Sequence, residues 1–557
     1  RYLTSETVAS FRAWWKAQGK AWRPDGAAIV LSRTFDPDAQ PADVDAADWA
    51  AQRELFRAFR GIDDAKKFSS QIDLLFGGGS YDGDNATRMG LLVPPWPAGQ
   101  VPKGLLATKG GDELIPEGLS GDVWRTETYY GTTVSTFGIC WNRDRMRAQG
   151  IARPPEHWDD LADPAWFGTL GLADPTKSGS IAKAFETIVQ VECRKAVEAA
   201  GFGALAGEYE ARIAAARLPA GELPPGVPAA YQQAVAAGWE AGLRLIQRLA
   251  ANARYFTDSA SKVVLDVGAG NAAAGLCIDF YGRFEADVSN GGRPDGAMAY
   301  ATPRGGSAVS ADPIALLRGA PHRETARRFI EFVLGEEGQK LWCYRVGTPG
   351  GPQKYALQRF PIRRDFYPSE NPRFQRAYER HRRFTTDDLG GPNVDMYRLA
   401  HEFIYRPRWT AGYFGLFRDL IRAMCMDAGQ ELRAAWRAIL AAGGPERCPR
   451  AMAALGRLPQ APEPLTWASG LSMGRKYDRL DLLREWTVQY RAQYAEAARL
   501  ARAEGGPDSP TGQARGGLET RAKESGSPGR FALPILTETD SGRARPPAEP
   551  GFSEARP

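Results

Sequence analysis

The chain has little with which to build a metal or redox centre: six cysteines and four histidines occur in 557 residues, and neither set clusters. Cys140, Cys193, Cys277, Cys343, Cys425 and Cys448 form no CxxC pair, which removes the zinc-ribbon and thioredoxin-like classes and leaves disulfides unassigned. His157, His322, His381 and His401 stand in no HExxH or nucleophile-elbow context, so hydrolase chemistry has no starting point. Long apolar runs are also missing. A membrane-spanning helix needs ~20 consecutive apolar residues, and even the stretch from Trp409 to Met426 is interrupted by Arg418, Asp419 and Arg422. One-sided charge is absent as well: 71 basic against 66 acidic residues leave +5, which gives no reason to expect a nucleic acid or other polyanion. The arginine-rich stretch from Arg359 to Phe384 reads accordingly as a solvated helix face. No basic-then-apolar leader opens the chain at Arg1, which moves directly into the helical pattern Val8, Phe11, Trp14, Trp15; the expectation is that the natural start lies upstream.

What is present is a globular composition, 43% hydrophobic, long enough for two or three domains with full cores. The segment before Pro116 mixes an amphipathic helix, Trp49 to Phe59, with a short buried strand, Ile72 to Phe76, in the manner of an α/β lobe. YYGTTVSTFGICWN, beginning at Tyr129, is β-branched and aromatic, so it reads as strand, crossing into a second lobe at Asn142. A return crossing is expected near Met298 to Pro303. Between them Cys193 to Ala253 is alanine-rich and helical, broken by LPAGELPPGVP, and is read as an insertion decorating the second lobe. A helical pattern resumes from Asn393 to Ala442, stops at Gly443, Gly444 and Pro445, and is expected to pack on the first lobe. From Glu504 the chain is too polar and glycine-rich to offset its own entropy and reads as disordered.

Three short motifs carry candidate chemistry. In DPTKSGSIAKAFETIV, Ser178 is a natural N-cap with Gly179 and Ser180 in the first turn, where free N–H groups and the helix dipole favour an anion; an ordinary capped helix explains the same residues. Gly77, Gly78 and Gly79 follow the buried strand, where absent side chains admit a ligand or simply make a tight turn, and Tyr81 and Asp82 come next. In GLCIDFYGR, read as a strand, Asp279 and Tyr281 share one face, able to ligate a hard cation or bind a polar solute; a buried, satisfied Asp near a hinge is the alternative. Thr257, Asp258 and Ser259 are weaker candidates.

Two longer segments resemble a known family. GICWNRDRMRAQGI with PPEHWDDLADPAWFGTLGLADPTKSGSIAKAFETIVQ, and SADPIALLRGAP with ARRFIEFVLGEEGQKLW and GTPGGPQKYAL, are similar to the extracellular solute-binding proteins of bacterial ABC importers, in the branch that includes the ferric-iron-binding proteins. The resemblance runs in collinear segments from Ile72 to Tyr367. It implies an α/β, bilobal, type II periplasmic-binding-protein fold, a small-molecule or ion ligand, an ABC permease as partner, a periplasmic location, a monomer, and neither catalysis nor a cofactor. It also implies that Ser178, Gly179 and Ser180 hold ligand oxygens opposite Gly78 and Gly79. The resembled family begins with a strand–helix–strand unit before the equivalent of the first helix here, so the first lobe is expected to lack central strands. Ferric-binding relatives use tyrosines, often an adjacent pair; the adjacent pair here, Tyr129 and Tyr130, precedes the crossing strand, so the metal stays unknown, and a sugar phosphate, phosphonate or other oxyanion fits the turn equally well.

The expected domains are 1–142 plus 299–370, 143–298 with the insertion near 193–253, a helical extension 371–503 and a disordered tail 504–557. The alternative function comes from VVLDVGAGNAAAG, Val263 to Gly275, which read alone matches the first motif of an S-adenosylmethionine-dependent methyltransferase. That motif needs a helix and then a second strand, and too few residues follow Gly275 to hold the helix; in the binding-protein reading the same stretch is a loop and short helix feeding GLCIDFYG.

Overall fold

The computed structural model describes residues 7, 10, 11, 13 and 14, and then 72–218, 222–391 and 393–505. The expected helix from Trp49 to Phe59, Val8, Trp15 and the tail beyond 505 lie outside the described residues. Phe11 is buried against Phe329 and Phe332, ring centroids 5.2 and 5.6 Å away.

The first lobe opens with β1 (Leu74–Phe76), α1 (Ser80–Arg88), β2 (Leu92–Val93), the hairpin β3 (Gly118–Leu119) and β4 (Asp122–Val123), and β5 (Tyr129–Ser135). Thr136 alone separates β5 from β6 (Phe137–Asn142), which begins the second lobe. Every residue of β5 and β6 is buried, which suits their β-branched and aromatic content. The second lobe continues with α2 (Arg143–Ala148), β7 (Leu170–Ala173), α3 (Gly179–Ala199), α4 (Ala206–Ala216), α5 (Ala229–Ala251), β8 (Ala253–Thr257), α6 (Ala260–Gly268), β9 (Ala274–Ile278), α7 (Asp279–Asn290) and β10 (Met298–Ala301). The chain returns through 302–309 to the first lobe at β11 (Ser310–Leu317), followed by α8 (Arg323–Leu334), α9 (Glu336–Cys343), β12 (Phe360–Pro361) and α10 (Pro372–His381).

The two sheets differ in kind. The first has the order β1-β11-β5-β12, with β2 also on β11, and all its pairings are antiparallel. The second has the order β10-β6-β9-β7-β8, in which β9, β7 and β8 run parallel. Parallel neighbours require crossover helices, and α3 to α5 and α6 provide them.

Three readings change. GLCIDFYGR is not one strand: β9 ends at Ile278 and Asp279 is the first residue of α7, so Asp279 and Tyr281 no longer share a face by alternation. Gly282, in the first turn of that helix, lets it pack closely on β10, since a Cβ there would lie 2.3 Å from the Tyr300 ring. VVLDVG is helix, within α6, as the binding-protein reading expects, and Leu265 faces solvent; the buried strand and glycine turn of a methyltransferase motif are not there. The stretch from Cys193 to Ala253 begins inside α3, and α5 is core rather than decoration. Gly238 and Gly242 let α5 approach so closely that a Cβ would fall 2.3 Å from Cys193 Cα and 2.7 Å from Val189 Cα.

The third change concerns the extension. It consists of α11 (Met396–Glu402), α12 (Pro407–Thr410), α13 (Phe414–Ile421), a π-helical turn at Arg422–Asp427, α14 (Gly429–Ala441), α15 (Pro449–Leu455), α16 (Trp467–Lys476) and α17 (Arg479–Glu504). Met396 to Ala400 join the first-lobe core, but from Phe403 onward the buried residues belong to the second-lobe core, not the first-lobe packing expected of the extension. The reason is α5, buried around most of its circumference. One side meets α3, and the other needs the second layer that α14, α16 and the π-helical turn supply.

Candidate functional site: a cleft between two sheet edges

In an open parallel sheet, ligands bind beyond the carboxyl ends of the strands, where helices begin. Here β7, β8 and β9 end at Ala173, Thr257 and Ile278, and α3, α6 and α7 start at Gly179, Ala260 and Asp279. The candidates Ser178–Ser180, Thr257 with Ser259, and Asp279 with Tyr281 therefore gather along one edge, although they are scattered over a hundred residues of sequence.

The α3 turn is built by its own loop. Asp174 Oδ1 accepts from Thr176 N at 2.7 Å and from Thr176 Oγ1 at 2.6 Å. Ser178 N donates to Asp174 O at 3.0 Å. Ser178 Oγ caps the helix by accepting from Ile181 N at 3.3 Å and lies 3.2 Å from Ser180 Oγ. That cap leaves the N–H groups of Gly179 and Ser180 at the helix start, and a Cβ on Gly179 would meet open space. Sequence reasoning missed Arg418, which donates to Pro175 O at 2.5 Å and Thr176 O at 2.6 Å and so fixes this loop from α13. Only the packing of the extension could reveal it.

Across from this edge stands the first-lobe wall. Gly77 and Gly78 take φ of +111° and +83°, so glycine is needed there for the turn itself. A Cβ on Gly79 would meet open space, and Gly79 N donates to Asp82 Oδ2 at 3.2 Å. The walls meet where Ser80 Oγ donates to Asp122 Oδ1 at 3.3 Å and Asp122 lies 3.9 Å from Lys183 Nζ, one turn beyond Ser180.

Electrostatics mark the groups that line the concavity. Asp82 is exposed, yet surrounding protein desolvates its carboxyl and raises its pKa against the opposing pull of Gly79 N–H and Arg418. Tyr281, half-buried, is raised by desolvation and moderated by Arg359. Arg418 is lowered by desolvation, with Asp82 and Tyr81 opposing. Arg359 is buried, pairs with Asp312, lies 4.2 Å over the Phe280 ring, and keeps an Nε without an acceptor.

Asp279 has a different place. It is fully buried at the crossing, where Oδ2 accepts from Thr136 N at 2.7 Å and Thr136 Oγ1 at 3.2 Å, and Oδ1 accepts from Phe280 N at 2.6 Å. Thr136 Oγ1 in turn lies 2.8 Å from Thr302 Oγ1 on the return crossing. Burial pushes the Asp279 carboxyl up to about 6, with the Thr136 amide opposing. Asp279 thus pins both crossings together. Thr257 lines a groove of about 490 Å³ with Asp174, Lys177, Tyr255 and Lys262, beside Met426. Ser259 Oγ is 2.8 Å from Ser261 Oγ. Tyr129 and Tyr130 lie in the first-lobe sheet: Tyr129 donates to Asp84 Oδ1 at 2.8 Å, and burial raises both phenols. Among the described residues no cluster of three His, Cys, Asp or Glu could hold a metal ion, and no helix is long and apolar enough to cross a membrane.

Two α/β lobes joined by paired crossings, with a cleft between sheet edges, make a bilobal α/β fold of the type II periplasmic-binding-protein kind. Residues 122–368 match the family model described as bacterial extracellular solute-binding protein. It is 22% identical over 280 residues to an uncharacterized protein of Haemophilus influenzae, covering 50% of this chain and 62% of that protein. It is 22% identical over 235 residues to the phosphoglycerate transport regulatory protein PgtC of Salmonella typhimurium, covering 42% of this chain and 44% of that protein. The chain therefore spans about half to three fifths of the length of these curated relatives. Among solved structures, the periplasmic binding protein AfuA of Actinobacillus pleuropneumoniae, with fructose-6-phosphate bound, is 17% identical with a TM-score of 0.36, covering 52% of this chain and 70% of that one.

Proposed function

We propose that the chain captures a small polar solute between its lobes and delivers it to an ABC permease outside the cytoplasm, acting as a binding protein without catalysis. The observation that carries this reading is the row of three helix starts on the second-lobe edge, facing the glycine turn of the first lobe. Open N–H groups at Gly179 and Ser180 favour an oxyanion-bearing compound. The name of the Salmonella relative, a phosphoglycerate transport regulator, agrees with such a solute. Ferric iron is the weaker ligand, because the paired phenols of Tyr129 and Tyr130 are buried in the first-lobe sheet. The ligand stabilises the closed arrangement because only there do both walls reach it.

The test is a thermal-shift panel on the full chain with 3-phosphoglycerate, sugar phosphates, phosphate, phosphonates, ferric citrate, polyamines and S-adenosylmethionine. The expected result is saturable stabilisation by a phosphate-bearing solute, abolished by Gly179→Asp. Stabilisation by S-adenosylmethionine alone, or by nothing in the panel, would sink the proposal.

A further inference from the structure

The chain crosses between the lobes a third time. Ala400 is packed in the first-lobe core and Phe403 in the second-lobe core, so 401–402 bridge them outside the region shared with the family. Just beyond, Tyr405 is fastened to both sides. Its N–H donates to Ser120 O at 2.8 Å in the β3–β4 turn of the first lobe. The fit is close: a Cβ on Gly121 would lie 1.9 Å from Tyr405 O. Its hydroxyl donates to Glu186 Oε1 on α3 of the second lobe at 2.7 Å. Thr410 Oγ1 adds a second donor to the same oxygen at 2.6 Å. Gln190, one turn further along α3, donates to Arg406 O and accepts from Arg406 N, at 2.8 and 3.2 Å.

Around this crossing lies a buried ionic cluster. Lys183 Nζ is 3.0 Å from Glu186 Oε2, 3.7 Å from the Tyr405 ring centroid and 3.9 Å from Asp122 Oδ2. Asp122 also accepts from Ser310 Oγ at 2.8 Å. Burial alone would lower Lys183, but Glu186, Tyr405 and Asp122 hold it raised and charged. Separating the lobes would strip this cation of a carboxylate and leave Asp122 facing outward without it. A buried pair broken on one side loses far more than an exposed one.

We propose that the extension is a strap: the 401–405 crossing and the Asp122–Lys183–Glu186–Tyr405 cluster hold the lobes in one arrangement before any solute arrives. Two crossings alone leave a hinge free to swing, whereas a third, fastened across the face of α3, ties the lobes at a second line. The cleft is then preset, and solute exchange requires this cluster to part.

The strap rests on the two-lobe binding reading, but its test needs no solute, so its failure is separate from failure of the panel. Spin labels placed by Arg376→Cys on α10 of the first lobe and Arg147→Cys on α2 of the second report the inter-lobe distance by pulsed dipolar spectroscopy; both positions are exposed and the six native cysteines are buried. The expected result for the solute-free full chain is one narrow distribution, with a second, longer-distance population appearing in Tyr405→Phe and, more strongly, in Lys183→Met combined with Glu186→Gln. Two populations in the unsubstituted strap, or variants with native near-ultraviolet circular dichroism that keep its single distribution, would overturn the proposal. If the double variant does not fold, Tyr405→Phe and the parent chain decide it by the same criteria.

Discussion

The two lobes solve the same problem with different sheets. The second lobe runs β9, β7 and β8 parallel, so three strands end and three helices begin on one edge. The described part of the first lobe is antiparallel, so β1 and β11 end on opposite edges, and the helices that follow them, α1 across Gly77 to Gly79 and α8, start on opposite edges as well. Parallel pairing therefore concentrates backbone N–H donors on the second wall, while the first contributes a glycine turn, Asp82, Asp312 and Arg359. The lesson is that strand direction decides which wall grips an anion by its backbone and which confronts the solute with side chains.

Each lobe also contains a buried amide with three partners, and the pair offers the largest test of the contrast. Asn252 donates to Leu161 O and Asp163 O and accepts from Trp436 Nε1, tying the extension to the second lobe. Gln339 donates to Thr132 O and Val333 O and accepts from Ile362 N within the first. Asn252→Ala and Gln339→Ala each orphan three buried groups, and each is expected to destabilise by about 4 kcal/mol. In urea titrations a single shared transition moving in both variants would show that the lobes unfold together. Two transitions, each variant moving only its own, would show independence.

A smaller effect, about 3 kcal/mol, is expected for Gly238→Ala, because the added methyl must push α5 off the α3 backbone at Cys193. A loss below about 1 kcal/mol would mean that α3 and α5 slide apart easily, contrary to the core role given to α5.

The pH dependence tests the hinge. Asp279 titrates at about 6 in the folded protein against an ordinary 3.8, so between these values the unfolded state has released its proton while the native state retains it. Stability from this group is therefore greatest below pH 4 and falls as pH rises through 6, by at most about 3 kcal/mol. Asp122 and Asp82, also raised by desolvation, act in the same direction. Asp279→Asn should flatten part of that fall in melting temperature between pH 4 and 7; an unchanged profile would remove the carboxyl from the hinge account.

The smallest stability effects distinguish the walls. Ser178→Ala removes the α3 cap and should cost about 1 kcal/mol. Gly79→Ala, with extended φ and open space for its methyl, should cost less than about 0.5 kcal/mol. Both are expected to weaken solute binding in calorimetry. Full affinity in Gly79→Ala would move the ligand away from the first wall.

Much of this was readable from local pattern. The DPTKSGSIAKAF segment announced its cap and apolar face, and the β5–β6 strand its length and crossing, because N-capping and burial on both faces of a strand leave marks within a dozen residues. GLCIDFYGR misled, since alternation over a short apolar run is equally satisfied by a strand that turns at once into a helix. VVLDVG, although it matches a methyltransferase motif when read alone, could be set aside from its spacing, and its glycines do lie at the end of a short helix instead of a strand. Arg418 and Lys183 were not readable as cleft residues at all, since each is an ordinary charge on an amphipathic helix until its partners arrive.

The sequence by itself determined the cap that starts α3, the β5–β6 crossing, the glycine turn after β1, and the solute-binding resemblance that the match over 122–368 supports, because these depend on contacts within a few residues or on a retained order of segments. Only the tertiary structure decided that β7, β8 and β9 run parallel, that Asp279 pins the crossings, and that the extension leaves the first lobe at Ala400 to cover α5 and fasten Tyr405 across both lobes. These depend on which apolar faces meet over separations of tens to hundreds of residues, and no local pattern encodes the identity of a distant partner.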